Sequence, residues 1–233
     1  MKFLAPFTCL LLLAAGAACI TLALGKEPYN PKIDPSNFSV NITNKYLPLK
    51  PGTTHYYKGV RDGVPTKTVV AVTQQTRTIM GVKCVVVTDN VFENQSLVER
   101  TTDWYAQDST GNVWYFGENT AELQSGVVTT TAGTWEAGVD NALPGIVMEA
   151  APKLGDKFRQ EYRPSVALDQ AVILSVNGTV TVPAGTYHHV VITWDRNPLD
   201  PSKIEHKYYA PGVGFVHAVL KGGGHTEVTG LVR

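Results

Sequence analysis

Cysteine is nearly absent from this sequence. Of three cysteines, Cys9 and Cys19 fall in an apolar N-terminal run, which leaves Cys84 alone in the rest of the chain. One cysteine cannot make an intrachain disulfide, so the fold must stand on its hydrophobic core. No CxxC pair occurs, which excludes a structural cysteine–zinc site. Cys84 sits in Val82-Lys83-Cys84-Val85-Val86-Val87 and is expected to be a buried, inert thiol. Charge of one sign is also missing: 20 Lys and Arg stand against 20 Asp and Glu, with no long basic run. That excludes the clustered phosphate-neutralising surface that nucleic-acid binding requires.

Several catalytic signatures are lacking as well. There is no G-x-S-x-G nucleophile elbow and no HExxH. Gly222 to Gly224 is followed by His225-Thr226, not by the Lys-Ser/Thr that ends a phosphate-cradling loop. Helical periodicity is hardly present anywhere.

What the N-terminus does contain is one early Lys2, a long apolar run, and the small residues Ala23-Leu24-Gly25 before Lys26. This is the pattern of a secretory signal peptide over residues 1–25, and it predicts a secreted, periplasmic or envelope location. The alternatives are an uncleaved anchor, since the run approaches the ~20 residues that span a bilayer, and lipid attachment at Cys19. Gly16-Ala17-Ala18 lacks the large aliphatic residue that lipidation usually has three places before the cysteine. No later stretch is apolar for long enough to cross a membrane as a helix. Four Asn-x-Ser/Thr sequons, at Asn37, Asn41, Asn94 and Asn177, would be glycan sites in a eukaryote and meaningless in a bacterium.

Residues 26–45, rich in Pro, Asn and Ser, read as an extended leader onto a single β domain over 46–233. Short β-type runs then follow one another, separated by turn signals such as Met80-Gly81, Glu93-Asn94-Gln95, Asn177-Gly178 and Pro183-Ala184-Gly185. The pattern predicts an all-β fold, an antiparallel meander forming a barrel, half-barrel or sandwich. Asn141 to Ala151 and the segment around Pro198 to Lys203 are the places where a helix or irregular insert would fit.

Strand alternation sorts the candidate residues by face. With Asp108 to Asn112 as a loop, Gln107 faces Val113, Tyr105 faces Tyr115, Trp104 faces Phe116 and Asp103 faces Gly117. Trp104, Trp114 and Phe116 then share a core face. Asp103, Tyr105, Gln107 and Tyr115 share the other, which is either a ligand-cavity wall or a solvated sheet face. In Glu205-His206-Lys207-Tyr208-Tyr209, the residues Glu205, Lys207 and Tyr209 share one face, while His206 and Tyr208 take the other. Acid–base chemistry, if present, would draw on Glu136, Glu161 and His206, although an Arg159–Glu161 ion pair on an exposed strand is the more ordinary use of that acid. His206 and His217 flank a Pro-Gly-Val-Gly turn and are weighed as metal ligands. The pattern calls for no metal and no cofactor.

The stretches Tyr46 to Tyr57, Asp103 to Asp108, Val113 to Glu118 and Glu205 to Gly214 resemble a group of secreted or lipid-anchored bacterial β proteins. Their shared phrases are PLKPGTTWxY, DWYAQDxxGNVWYFGE and EHKYYAPGVG. The resemblance implies a bacterial, exported, single-domain β protein and supplies no reaction. His55 stands where that group has a tryptophan. Three functions follow as expectations. The first is a binding protein for a lipid-like or glycan-like ligand, a small amphiphilic or glycan molecule, held by Asp103, Tyr105, Gln107, Tyr115, Glu205, Lys207 and Tyr209. The second is a carbohydrate- or lipid-active hydrolase or lyase, and the third a structural envelope protein.

Overall fold

The computed structural model describes residues 29–222 and 224–233. The expected signal peptide with Cys19, and the first residues of the leader, lie outside them. The compact unit runs from Pro31 to Arg233.

Sixteen strands follow a single 3-10 turn at Pro35–Asn37. They are β1 (Phe38–Ser39), β2 (Thr54–Arg61), β3 (Val64–Ile79), β4 (Val82–Glu93), β5 (Ser96–Asp108), β6 (Val113–Gln124), β7 (Val127–Thr130) and β8 (Trp135–Glu136), then β9 (Leu143–Met148), β10 (Lys157–Arg159), β11 (Glu161–Tyr162), β12 (Gln170–Val182), β13 (Gly185–Asn197), β14 (Asp200–Ala210), β15 (Gly214–Gly222) and β16 (His225–Leu231). The all-β antiparallel meander is therefore the observed fold, and the sheet is a nearly closed barrel.

Its order is β10-β12-β13-β14-β15-β16-β2-β3-β4-β5-β6-β9-β11. Two meanders, β2–β6 and β12–β16, are joined at β16–β2, where Glu227 lies opposite Arg61. The barrel closes through six residues. Lys157–Arg159 pair with β12 while Glu161–Tyr162 pair with β9, so one short stretch of chain spans both ends of the sheet order. Gly145 makes this approach feasible: a Cβ there would lie 2.3 Å from the carbonyl oxygen of Gln160 and 2.4 Å from that of Arg159.

Hairpin turns set the register. Asp62-Gly63 and Met80-Gly81 have φ of 50° and 83°, and 49° and 80°. Positive φ at both central residues matches the right-handed twist of the flanking strands. One expected turn is absent, and neither expected insert is a helix. Asn177-Gly178 is a register shift inside continuous β12, where the irregular pairing bends the strand instead of reversing it. Pro198-Leu199 sits in the tight turn between β13 and β14, and Leu143–Met148 is a strand against β6, so neither proposed insert is helical.

Alternation gives the wall two faces. Val85, Val87 and Val91 of β4 point into the barrel, whereas Cys84 and Val86 point outward. Val85-Val86-Val87 is an unbroken apolar run because both faces of β4 are covered there. Outside it, Cys84, Val86, Trp104, Ala106 and Phe116 form a buried layer under Ile33 and Phe38. Burial pushes the Cys84 thiol up to about 12. At one end of the barrel, Ile42, Tyr46 and Leu49 pack onto Val72, Val85, Val113 and Val191. All four sequon asparagines are exposed.

Candidate functional site

The barrel encloses a cavity of about 450 Å³. Leu47, Leu49, Val72, Val213 and Phe215 line one part of it, and Arg61, Glu99 and Glu227 another. Between them lie Asp89, Asp103, Glu161, Asp169, Lys207 and the rings of Tyr105, Tyr115 and Tyr209. One region is thus aliphatic and the other densely charged.

Adjacent strands position these groups. Tyr105 lies opposite Tyr115, as the alternation predicts, and their rings stack with centroids 4.8 Å apart at 17°. Past that pair the expected register is off by one. Trp104 faces Gly117 and Asp103 faces Glu118, because an irregularity falls between Trp104 and Tyr105. Gly117 adopts φ +133° there, with the Trp135 carbonyl where its Cβ would be. The shift brings a second carboxylate, Glu118, alongside Asp103. Tyr115 donates its hydroxyl to Asp103 Oδ1 at 2.6 Å.

Glu205, Lys207 and Tyr209 all face the cavity. Lys207 Nζ lies 3.1 Å from Asp195 Oδ2 and 3.2 Å from Glu205 Oε2. Burial alone would lower its basicity, but Glu205, Asp195, Tyr209 and Asp169 outweigh it and hold the ammonium protonated well above the usual lysine range. Arg61 is shared in the same manner, 2.8 Å from Glu227 and 3.5 Å from Glu99. Each cation in the cavity is therefore already held by two carboxylates.

The remaining acids are raised by their surroundings. Burial, then Asp103 and Glu99, pushes Asp89 up to about 8. Asp103 rises to about 7 through burial, opposed by the Tyr115 hydrogen bond and supported by Glu118 and Glu99. Burial and the neighbouring Glu99 and Asp169 take Glu118 to about 7. Asp169 reaches about 6 because burial outweighs the attraction of Lys207. Glu161 is held well above the carboxylate range by burial and by Asp169 and Glu118.

The other expected site residues are elsewhere. Gln107 does not line the cavity; its Oε1 accepts from the backbone N–H groups of Thr43 and Asn44 at 2.9 and 2.8 Å. Next to it, Asn44 bridges to the Gly111 and Glu149 carbonyls, so this pair anchors the leader. Glu136 lies outside the barrel wall, 2.5 Å from Arg77, which also stacks on Trp104. His206 is on the face opposite Glu205 and Lys207, across from Trp194 and Val219. Glu161 alone of the three acid–base candidates reaches the cavity. His217 lies opposite Tyr208, two places from the His206 position, and its ring nitrogen meets the Thr229 carbonyl. Among the described residues, no three of His, Cys, Asp and Glu converge as a metal ion would require.

Sequence reasoning missed Arg61, Asp89, Glu99, Asp169 and Glu227. Asp89 carried a signal: it occupies the inward register of Val85, Val87 and Val91, and a lone acid in an apolar alternation marks a position facing something other than core.

No family model matches the chain, and no curated protein does. Solved structures offer a distant likeness. A presumed exported protein with a YmcC-like fold from Bacteroides fragilis is 14% identical over 82% of this chain and 98% of its own, with a TM-score of 0.47. A presumed lipoprotein from Parabacteroides distasonis is 13% identical with the same coverage and a TM-score of 0.45. Among the described residues no helix is long and apolar enough to cross a membrane.

Proposed function

We propose that this chain is an exported binding protein whose barrel interior receives one small amphiphilic molecule. The observation that carries the reading is the cavity of about 450 Å³, aliphatic in one region and charged in the other. Ligand sites typically have about 300–1,000 Å³, mostly apolar walls and a few placed polar groups. A chain of hydrocarbon against Leu47, Leu49, Val72 and Phe215 would leave its head among the charged side chains. A glycan fits less well, because Tyr105 and Tyr115 already cover one face of each other's ring. Acid–base hydrolysis has less support, since Glu136 and His206 stand outside the cavity that holds Glu161. Export rests on the N-terminal sequence pattern alone.

The test uses the neutral fluorophore N-phenyl-1-naphthylamine, whose emission rises in apolar surroundings. Wild-type protein should bind it at one site and release it to competing amphiphiles. Val70→Trp, which adds bulk to the cavity wall, should keep its circular dichroism spectrum and lose the signal. Absence of saturable binding by the wild type would sink the reading.

A further inference from the structure

The charged region of the cavity is unbalanced, and the imbalance has a sign. Seven carboxylates line it against Arg61 and Lys207. Ion pairs engage Glu99 and Glu227 with Arg61, and Glu205 with Lys207, which also holds Asp195 from behind. Among the described residues, no ion pair engages Asp89, Asp103, Glu161 or Asp169. Lys207 acts on Asp169 and Glu161, and Arg61 on Asp89, without an ion-pair contact.

Two of those acids are also short of hydrogen bonds. Among the described residues, Asp89 Oδ1 and Asp169 Oδ1 are buried without a partner. A buried acceptor in that condition is costly, more so when charged, and its persistence calls for an explanation. Asp89 and Asp103 are diagonal neighbours on one face: Val87 is opposite Asp103, and Asp89 follows two residues along β4. Diagonal cross-strand positions lie about 7–8 Å apart between Cα atoms, a span that a single donor group between two side chains bridges.

We infer that the ligand is a cationic amphiphile, and that its primary ammonium group is received between Asp89 and Asp103. This rests on the amphiphile reading above and adds the chemistry of the head. An ammonium brings one positive charge and three N–H donors with no acceptor, which complements oxygens that only accept. A quaternary head lacks those donors, and an anionic head would meet uncompensated carboxylates. A bare metal ion is disfavoured because, among the described residues, no three ligating side chains converge. Asp89 is faced by Arg61 from β2, Glu227 from β16, Glu99 and Asp103 from β5, and the Tyr57 ring. Asp103 is faced by Tyr115 and Glu118 from β6 and by Glu99. Carboxyls in these surroundings retain protons near neutral pH, so an arriving ammonium must displace them. Binding therefore releases protons and weakens as the pH falls.

The experiment is isothermal titration of the full exported chain with decylamine, decan-1-ol and decanoate at pH 8, the amine and the acid below their micelle concentrations and the alcohol below its solubility limit. Decylamine is expected to bind at least tenfold tighter than decanol, and decanoate weakest. Asp89→Asn with Asp103→Asn should cost the amine at least tenfold and leave decanol unchanged or tighter. Should the double variant fail to fold, the wild type alone decides by proton linkage. Its heat with decylamine near pH 7 should differ between phosphate and Tris in proportion to their ionisation enthalpies, whereas its heat with decanol should not. Decanol binding as tightly as decylamine, or amine heats independent of buffer, would overturn the ammonium assignment and leave the amphiphile reading standing. No binding by any of the three overturns both.

Discussion

Asp103 and Tyr115 meet across β5 and β6, the phenol donating to a carboxylate that is 8% exposed. Among the described residues, that phenol is the hydrogen-bond donor Asp103 receives. In Tyr115→Phe the carboxylate loses it, and a loss of about 1–3 kcal/mol in stability is expected at pH 9. At pH 5 Asp103 is protonated and needs the donor less, so the loss should shrink. Urea unfolding of both proteins at the two pH values measures the difference, and equal losses would contradict it.

The buried acids in and beside the cavity also set how the ligand-free protein responds to pH. Asp89, Asp103, Glu118 and Asp169 titrate at about 8, 7, 7 and 6, above their usual values, mainly because burial disfavours the charged form. The folded state then binds more protons than the unfolded state between the ordinary carboxylate range and those values. Stability is fully present below the unfolded values and is lost as pH rises through about 6–8. The melting temperature should fall from pH 5 through pH 8 and level off above it, and Asp89→Asn should flatten the slope. A melting temperature that peaks at pH 8 would refute the assignment.

Barrel closure depends on the missing side chain at Gly145. Gly145→Ala would drive a methyl group to within 2.4 Å of two backbone carbonyl oxygens of Lys157–Tyr162. Backbone cannot swing aside as a flexible side chain can, so the cost should reach or exceed the ~1–3 kcal/mol typical of overpacking. Gly126→Ala, with nothing near its Cβ, is the matching control and should pay only for its φ of +80°. A smaller shift in urea midpoint for Gly145→Ala than for the control would be the adverse result.

Gln107 holds the leader, and removing it separates anchoring from binding. Gln107→Ala leaves the N–H groups of Thr43 and Asn44 without their acceptor. Hydrogen exchange should accelerate over residues 41–47, while affinity for the fluorophore stays within twofold of wild type. Loss of binding without faster exchange would restore Gln107 to the cavity.

Much of this site was readable because alternation is a local property. Asp103, Tyr105 and Tyr115 on one face, and Glu205, Lys207 and Tyr209 on another, needed only the two-residue period of a strand. The register failed at Gly117, where a contact from Trp135, distant in the sequence, imposes the irregular pairing. For Glu161 the sequence leaves open an acid–base role and an exposed ion pair with Arg159. Its cavity position follows from the closure by Lys157–Tyr162, which involves strands that no local pattern identifies as neighbours. Glu136 and Arg77 are 59 residues apart, and nothing near either one announces their pairing.

The joining of β16 to β2 has a consequence for the order of folding. Within each meander, neighbours in the sheet are neighbours in the chain, and such contacts form quickly because little chain entropy is lost in making them. Arg61 and Glu227 are separated by 166 residues. Their strands cannot meet until nearly the whole chain has been synthesised, so the acid-lined interior does not exist in any nascent intermediate. A chain that ended before His225 would keep its hairpins and never acquire an inside.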